Sequence, residues 1–339
     1  MNVYFTVDTE STIGLPGRWP RQRPTGPARQ VFCRIDGKEY GIPLLVEMMR
    51  EFSFRGTFFI ETLSTGYLGE CGMRAIFEFL LRHEQDLQLH AHPKFRFYSE
   101  WLAAQARGAE YQLPQRLDLI GHFSEDLQMD LLSESVERFN RFAGYPARVF
   151  RAGSYAGSVG MLRCLRRLGI QVDSSFNPCY HPDWSFPDRP LSPNTVQRIE
   201  GVWEIPVTVA RTRLPEGHRG FKFADCTSLS FWEIRTMLNA AFASGQRHFV
   251  MVFHSFAGVK AKDETYTEIR PNRIVIRRLK KMFRYLADNP GKFSVLTMGT
   301  AATTDSLEGE PEQPRVANLG FVASGVRKVV QLLNAPYWT

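Results

Sequence analysis

Short apolar runs alternate with longer amphipathic segments along the chain. The apolar runs are rich in β-branched and aromatic residues, which favour strands, and the longer segments carry apolar residues at helical spacing. Because strands that alternate with helices are typical of a parallel sheet, the sequence predicts the α/β class and a distorted (β/α) barrel of seven or eight strands, with its site at the carboxyl ends of the strands. The predicted strands are residues 3–7, 56–60, 87–92, 149–152, 171–174, 203–206, 249–254 and 293–297, and the predicted helices are residues 40–52, 133–142, 159–168, 231–243 and 272–287.

The chain divides into one large unit and a short C-terminal remainder. Residues 1–300 are predicted to form the barrel, residues 301–315 a linker, and residues 316–339 a C-terminal helical extension. Two stretches rich in proline interrupt the regular alternation, at residues 11–29 and 177–198. Long irregular segments in a compact domain are often functional, and both follow strands on the side where barrels build their sites. We therefore expect both stretches to lie near the site.

Composition excludes several classes of protein. Of the 339 residues, 43% are hydrophobic and 23% are charged, as in globular chains rather than disordered or coiled-coil ones. The apolar runs are too short for a membrane-spanning helix. The first residues lack the apolar run of a signal peptide, and the five cysteines have no CxxC spacing. We therefore expect reduced thiols and a cytoplasmic location.

The net charge of +7 is concentrated in one segment. Residues 259–284 hold nine basic and three acidic side chains, and six of the basic ones belong to the predicted helix 272–287. A solvated helix face explains such a stripe, but each cation near an anionic leaflet also contributes about 1 kcal/mol of attraction. We expect no nucleic-acid partner and a weak, salt-sensitive peripheral association with acidic membranes. The six helical cations are Arg273, Arg277, Arg278, Lys280, Lys281 and Arg284.

Two pairs of polar residues end two of the predicted strands. Asp8 and Glu10 are separated by one residue, so an extended chain points both carboxylates to one side, where they need a cation or a shared proton unless the strand end is simply solvated. His90 and His92 have the same spacing, although a single histidine is more often a core residue. Two imidazoles and a carboxylate at one sheet edge make a metal site with open positions. The presence of both pairs at strand ends therefore predicts a metal centre.

Arg151 and His254 end two further predicted strands. An arginine at a sheet edge can hold a carboxylate bidentately, either near a site or in a purely structural ion pair. The small residues that follow it let backbone amides approach a substrate oxygen. A histidine at the end of an apolar run is partly desolvated, so it can act as a general acid or base near neutrality.

Taken in order, these strand ends resemble the polysaccharide deacetylase family, the NodB-homology group of metal-dependent carbohydrate esterases. The resemblance extends over residues 1–298, and each motif is weak alone while the ordered set is specific. The motifs are Thr6-Val7-Asp8-Thr9-Glu10, Arg55-Gly56-Thr57-Phe58-Phe59, His90, Phe150-Arg151, Asp173-Ser174-Ser175 and Val252-Phe253-His254.

The resemblance implies a role for each matched residue. Asp8 corresponds to the catalytic base, Arg151 to the arginine that orients this base, and His90 to the first metal histidine. His254 corresponds to the general acid that protonates the leaving amine, and Asp173 to the acid that tunes this histidine.

Several positions depart from the family pattern. The metal aspartate of the family is replaced by Thr9, so Glu10 is expected to supply the carboxylate, as in a divergent Asp-x-Glu branch. The second histidine of the family falls on Lys94, so His92 is expected to replace it. The oxyanion is expected to bind the backbone amide of one of two residues, Ser154 or Tyr155.

The resemblance implies hydrolysis of the N-acetyl group of an amino sugar, in a saccharide or its biosynthetic precursor. Histidine and carboxylate ligands favour Zn²⁺, with Co²⁺ or Ni²⁺ as alternatives by affinity order. Two other functions stay open. One is a metal-dependent hydrolase of a non-sugar amide or a cyclic C–N bond, and the other is a non-catalytic saccharide-binding relic that has lost its metal.

Overall fold

The computed structural model describes most of the predicted barrel. It covers residues 1–14, 19, 26–212, 220–263, 266–303, 307–308, 316–320, 325, 327–328 and 331. Most of the predicted linker 301–315 and of the predicted extension 316–339 lies outside the described residues, as does much of the stretch 11–29. Within the described residues, none of the helices has the length and apolar character needed to cross a membrane. All five cysteines are free thiols.

Fifteen strands lie in the described part of the chain, and each of the eight predicted strand segments overlaps one of them. In chain order they are β1 Asn2–Thr9, β2 Arg34–Ile35, β3 Lys38–Glu39, β4 Thr57–Glu61, β5 Asp86–Ala91, β6 Val149–Ala152, β7 Val172–Asp173, β8 Gln197–Ile199, β9 Val202–Glu204, β10 Val209–Arg211, β11 Phe221–Phe223, β12 His248–His254, β13 Val259–Ala261, β14 Ile269–Pro271 and β15 Ser294–Leu296.

The main sheet is curled and almost entirely parallel. Its strands follow the order β12-β1-β4-β5-β6-β7-β9-β8, and β15 pairs with the start of β1. Only β8 and β9 are antiparallel neighbours in this sheet. Strands joined by helices in this way confirm the predicted mixed α/β class. Beyond the sheet edge, Val252 N donates to Ala224 O and Cys226 N donates to Val252 O. These are single bonds rather than a ladder, so full closure of the barrel stays a prediction.

The centre of the sheet is buried on both faces. Strand β1 is buried from Val3 to Thr9, and β12 is buried from His248 to Phe253. Parallel strands covered on both faces have continuous apolar sequences, because no side chain points to water. This burial explains why apolar runs alone predicted these strands.

Ten α-helices lie in the described residues, among them all five predicted ones. The helix predicted at residues 133–142 begins earlier, at Glu125, because the Ser124 hydroxyl accepts a hydrogen bond from Leu127 N and caps the helix there. The other five helices, at residues 27–30, 65–68, 70–82, 93–106 and 298–302, were not predicted. The ten helices are α1 Pro27–Gln30, α2 Ile42–Arg50, α3 Thr65–Leu68, α4 Glu70–Arg82, α5 Pro93–Ala106, α6 Glu125–Ala143, α7 Val159–Arg167, α8 Phe231–Ala243, α9 Arg273–Ala287 and α10 Met298–Ala302.

The basic helix α9 differs from its prediction at one cation. Arg278 was expected to face solvent, but it is buried, and its guanidinium donates to the carbonyl oxygens of Cys226 and Thr227 at 3.1 and 2.6 Å. The arginine is buried because these two carbonyl groups, in the segment before α8, accept its protons. The other five cations are exposed, and their association with acidic membranes stays a prediction.

Candidate metal centre and active site

Strands β1 and β12 bring three of the predicted site residues together. The two strands run in register, with Asp8 opposite His254. Asp8 is buried, and Glu10 follows it just beyond the carboxyl end of β1. The Nε2 atom of His254 lies 3.8 Å from Oε1 of Glu10. The predicted base, acid and metal carboxylate therefore lie at one edge of the sheet.

Glu10, His90 and His92 converge on one point. One ligand atom from each lies within 4.8 Å of the others. The Nε2 atoms of His92 and His90 lie 2.5 and 3.6 Å from Oε2 of Glu10. That oxygen is buried and has no hydrogen bond of acceptable geometry. A buried carboxylate oxygen that faces two imidazole nitrogens suits a divalent cation, so these three residues could hold a metal.

Both histidines are held from behind through their Nδ1 atoms. Nδ1 of His90 lies 2.6 Å from the carbonyl oxygen of Arg151, and Nδ1 of His92 lies 2.9 Å from both carboxylate oxygens of Asp118. A partner at Nδ1 orients the ring and leaves Nε2 for a metal. Sequence analysis missed Asp118, which lies in an irregular segment after α5. The one available signal was an isolated acid between Leu117 and Leu119.

Neighbouring charges dominate the protonation of this cluster. Burial raises the pKa of Glu10, but attraction to His92 and the close approach of both imidazoles hold it well below its usual value. Burial alone would lower the pKa of His92, whereas attraction to Asp118 and Glu10 raises it to about 10. Attraction to His92 and Lys94 overcomes burial and lowers the pKa of Asp118 to about 2. The cluster is therefore a network of ion pairs in which His92 carries a proton that a bound cation would displace.

Arg151 forms the buried support of Asp8. The guanidinium is fully buried and donates to Oδ1 of Asp8 at 2.7 Å and to the Thr6 hydroxyl at 2.9 Å. It also donates to the carbonyl and hydroxyl oxygens of Ser174, and it lies 4.3 Å from the ring centroid of Phe59. A charge-assisted bond to one carboxylate oxygen fixes the carboxylate and leaves the other oxygen free to accept a proton.

Ser154 and Tyr155 follow β6 in strained backbone conformations. Their φ angles are +55° and +58°, a left-handed region that non-glycine residues seldom adopt. The Ser154 hydroxyl donates to Asp118 at 3.1 Å, and Nε1 of Trp184 donates to the Ser154 carbonyl at 2.9 Å. Such strain persists only where surrounding contacts hold it, and it is commonest at functional sites.

The structure does not bring Asp173 together with His254. Asp173 is fully buried between β6 and β9, and its carboxylate accepts a hydrogen bond from the Ser175 hydroxyl at 2.6 Å. Its strand neighbour is Glu204, also fully buried. Among the described residues, Asp173 makes no hydrogen bond or ion pair with His254. The contact that the predicted tuning role requires is therefore missing. In the sheet order, four strands separate β12, which ends at His254, from β7, which ends at Asp173.

Asp173 and Glu204 form a buried pair of acids that needs a proton. The Oδ2 atom of Asp173 and the Oε2 atom of Glu204 have no hydrogen-bond partner if both groups are ionised. Burial raises the pKa of both groups, and repulsion from Asp173 raises the pKa of Glu204 further, well above its usual value. One proton on Glu204 relieves the repulsion and supplies the missing donor.

Replacing Glu204 with glutamine should stabilise the protein at high pH. The folded-state pKa of Glu204 is raised, so the stability gained from its proton is complete below the unfolded value of about 4.3 and falls as pH rises toward the folded value. An amide keeps the donor without titrating. We expect the free energy of unfolding of Glu204→Gln, measured in urea, to exceed wild type at pH 9 and to approach it at pH 5. Exposed Glu47→Gln serves as the control, and a pH-independent difference for Glu204→Gln would contradict the shared proton.

Comparisons with known proteins were made for sequence and for structure. No family model matches the sequence, and no curated protein matches it. Solved structures do match. A Mycobacterium smegmatis protein assigned as a polysaccharide deacetylase is 16% identical over 89% of this chain and 88% of its own, with a TM-score of 0.49. A family 4 carbohydrate esterase from Streptomyces lividans, solved with acetate, is 10% identical over 87% of this chain and 91% of its own, with a TM-score of 0.40.

A third structure resembles the chain along nearly its whole length. The 4-alpha-glucanotransferase of Thermococcus litoralis is 13% identical and matches with a TM-score of 0.51, over 99% of this chain and 46% of its own. This likeness shows the fold alone. This chain spans about half the length of that enzyme, and what either protein does follows from its own site.

Proposed function

We propose that this protein is a metal-dependent deacetylase that hydrolyses the N-acetyl group of an amino sugar, in a saccharide or its biosynthetic precursor. The observation that carries the proposal is the convergence of Glu10, His90 and His92 beside the Arg151-supported carboxylate of Asp8. A metal, a carboxylate base and a histidine at one sheet edge are the parts that hydrolysis of an amide requires.

A divalent cation, most suitably Zn²⁺, would be held by Glu10, His90 and His92, and when bound it polarises a carbonyl group and acidifies water. Asp8 accepts the proton of the attacking water through the carboxylate oxygen that Arg151 leaves free. His254 donates a proton to the leaving amine. Its side chain is 30% exposed, so substrate can reach it from the open side.

The loop after β6 is suited to bind the substrate carbonyl and sugar ring. The amides of Ser154 and Tyr155 are the candidates for the oxyanion, because left-handed backbone turns this loop sharply at the sheet edge. The Tyr155 ring stacks on Tyr180 with centroids 5.7 Å apart, and Tyr180 stacks on Trp184 at 5.0 Å. Aromatic faces with polar tips suit the mixed apolar and hydroxylated surface of a saccharide.

The direct test is acetate release from N-acetylated amino-sugar oligomers by protein loaded with Zn²⁺. We expect turnover that disappears with a chelator, returns with added metal and is lost in His90→Ala. His83→Ala, which changes a histidine at the end of α4, should retain activity. Turnover of simple amides or cyclic ureides instead would favour the non-sugar hydrolase. Saccharide binding without metal or turnover would favour a binding relic.

A further inference from the structure

The ring of the second candidate ligand, His92, is enclosed by its neighbours, and two of these, Gly153 and Asp118, come from other parts of the chain. Its side chain is 7% exposed, and its ring packs edge-on against His90, with centroids 4.8 Å apart, and against Phe95 at 6.0 Å. Its Nε2 atom faces Glu10, and its Nδ1 atom faces Asp118. Every side of the ring therefore has a defined neighbour.

Gly153 supplies the space for this ring. A Cβ atom at position 153 would lie 2.4 Å from Nδ1 of His92, 2.5 Å from Cγ and 2.6 Å from Cε1. Comfortable contact between such atoms needs about 3.5–4.0 Å. Gly153 does not have a positive φ angle, so its backbone conformation is one that alanine can also adopt. Glycine is required here by the ring of His92 and not by the backbone.

Asp118 fixes the orientation of the His92 ring. Its carboxylate accepts hydrogen bonds from Nδ1 of His92 at 2.9 Å and from the Ser154 hydroxyl at 3.1 Å, and it pairs with the Lys94 ammonium at 3.2 Å. The metal ligand and the loop proposed to bind the carbonyl thus share one carboxylate.

The segment that follows Asp118 is fastened to the same loop. Gly121 N donates to Ala156 O at 2.9 Å, and a Cβ atom at Gly121 would lie 2.7 Å from that oxygen. The close backbone approach holds the Asp118 segment against the 153–157 loop. Asp118 therefore has little freedom to follow His92 if the ring moves.

We propose that Gly153 and Asp118 are positioning residues that make His92 a metal ligand: Gly153 leaves room for its ring, and Asp118 holds Nδ1 so that Nε2 points to Glu10. This inference rests on the proposed metal site. Because the same carboxylate binds Ser154, it also ties the ligand to the loop that would receive the substrate.

The first test is Gly153→Ala. We expect the affinity of the metal-free protein for Zn²⁺, measured by competition with a chromophoric chelator, to fall at least tenfold, because the new methyl group displaces the ring. In a His92→Ala background the clash is absent, so Gly153→Ala should cause no further loss. Gly291→Ala is the matched control, because nothing lies within 4 Å of its added Cβ atom. Equal losses from Gly153→Ala with and without His92 would overturn the role of Gly153.

The second test is a graded series at Asp118. We expect Asp118→Ala to weaken Zn²⁺ binding about 10–100-fold, as loss of an outer partner of a metal histidine typically does. Asp118→Asn should lose less, because an amide oxygen still accepts from Nδ1. The visible spectrum of bound Co²⁺ should change in Asp118→Ala and not in Asp130→Ala, which removes a largely exposed carboxylate on α6.

The outcomes separate this inference from the proposed function. If the wild type binds no Zn²⁺ or Co²⁺, the metal site itself is wrong. If the wild type binds and Gly153→Ala and Asp118→Ala bind within twofold of it, the metal site stands and the positioning role is wrong. Thermal unfolding of each metal-free variant identifies any that fails to fold. If Asp118→Ala fails to fold, Asp118→Asn takes its place, and wild-type Zn²⁺ affinity in that variant would overturn the role of Asp118. If Gly153→Ala fails to fold, the His92→Ala background should restore folding, and failure to restore it would overturn the role of Gly153.

Discussion

Replacing Asp8 with asparagine is expected to reduce kcat about 10²–10⁴-fold, the usual contribution of a general base. An amide oxygen can still accept the bond from Arg151, so the side chain should keep its place, but it cannot take a proton from water. Because Asp8 is not among the three converging ligands, metal content measured by elemental analysis should remain at the wild-type value.

A control variant and the metal content make this prediction specific to Asp8. Asp130→Asn removes a largely exposed carboxylate on α6 and should leave kcat unchanged. Asp8→Asn activity above a tenth of wild type would refute the base assignment. Loss of metal together with activity would instead make Asp8 part of the metal site.

Replacing Arg151 with methionine is expected to lower the free energy of unfolding by about 3–5 kcal/mol, the usual cost of removing one member of a buried ion pair. The substitution leaves the buried carboxylate of Asp8 without its cation and the carbonyl and hydroxyl oxygens of Ser174 without a donor. Chemical denaturation in urea measures the change, and turnover should be lost because Asp8 is no longer oriented.

The double variant Asp8→Asn/Arg151→Met separates charge from packing. If the uncompensated Asp8 carboxylate causes most of the loss, the double variant should be more stable than Arg151→Met alone. Arg163→Met is the control, because its ion pair with Glu125 is exposed and surface pairs contribute little. A loss for Arg151→Met no larger than for Arg163→Met would contradict the buried pair as a source of stability.

Sequence alone determined the strands and the residues at their ends. Strands β1, β5, β6 and β12 are buried, so each appears as an apolar run that stops where polar residues begin. Because parallel strands end at one edge, their terminal residues meet whatever the details of packing. Glu10, His90 and His92 were predictable for this reason, and the structure brings them together.

Only the tertiary structure decided which residues support those ligands. Asp118 lies 26 residues from His92, and Gly153 meets the ring of His92 because it follows β6, the strand that pairs with β5. The neighbour of Asp173 is Glu204 rather than His254. Arg278 is buried, and its guanidinium donates to two carbonyl groups. The spacing of apolar residues indicates which face of a helix or strand is apolar, but not which distant segment packs against that face. Those contacts depend on how loops of different length fold back over the sheet, a long-range property that local sequence patterns do not encode.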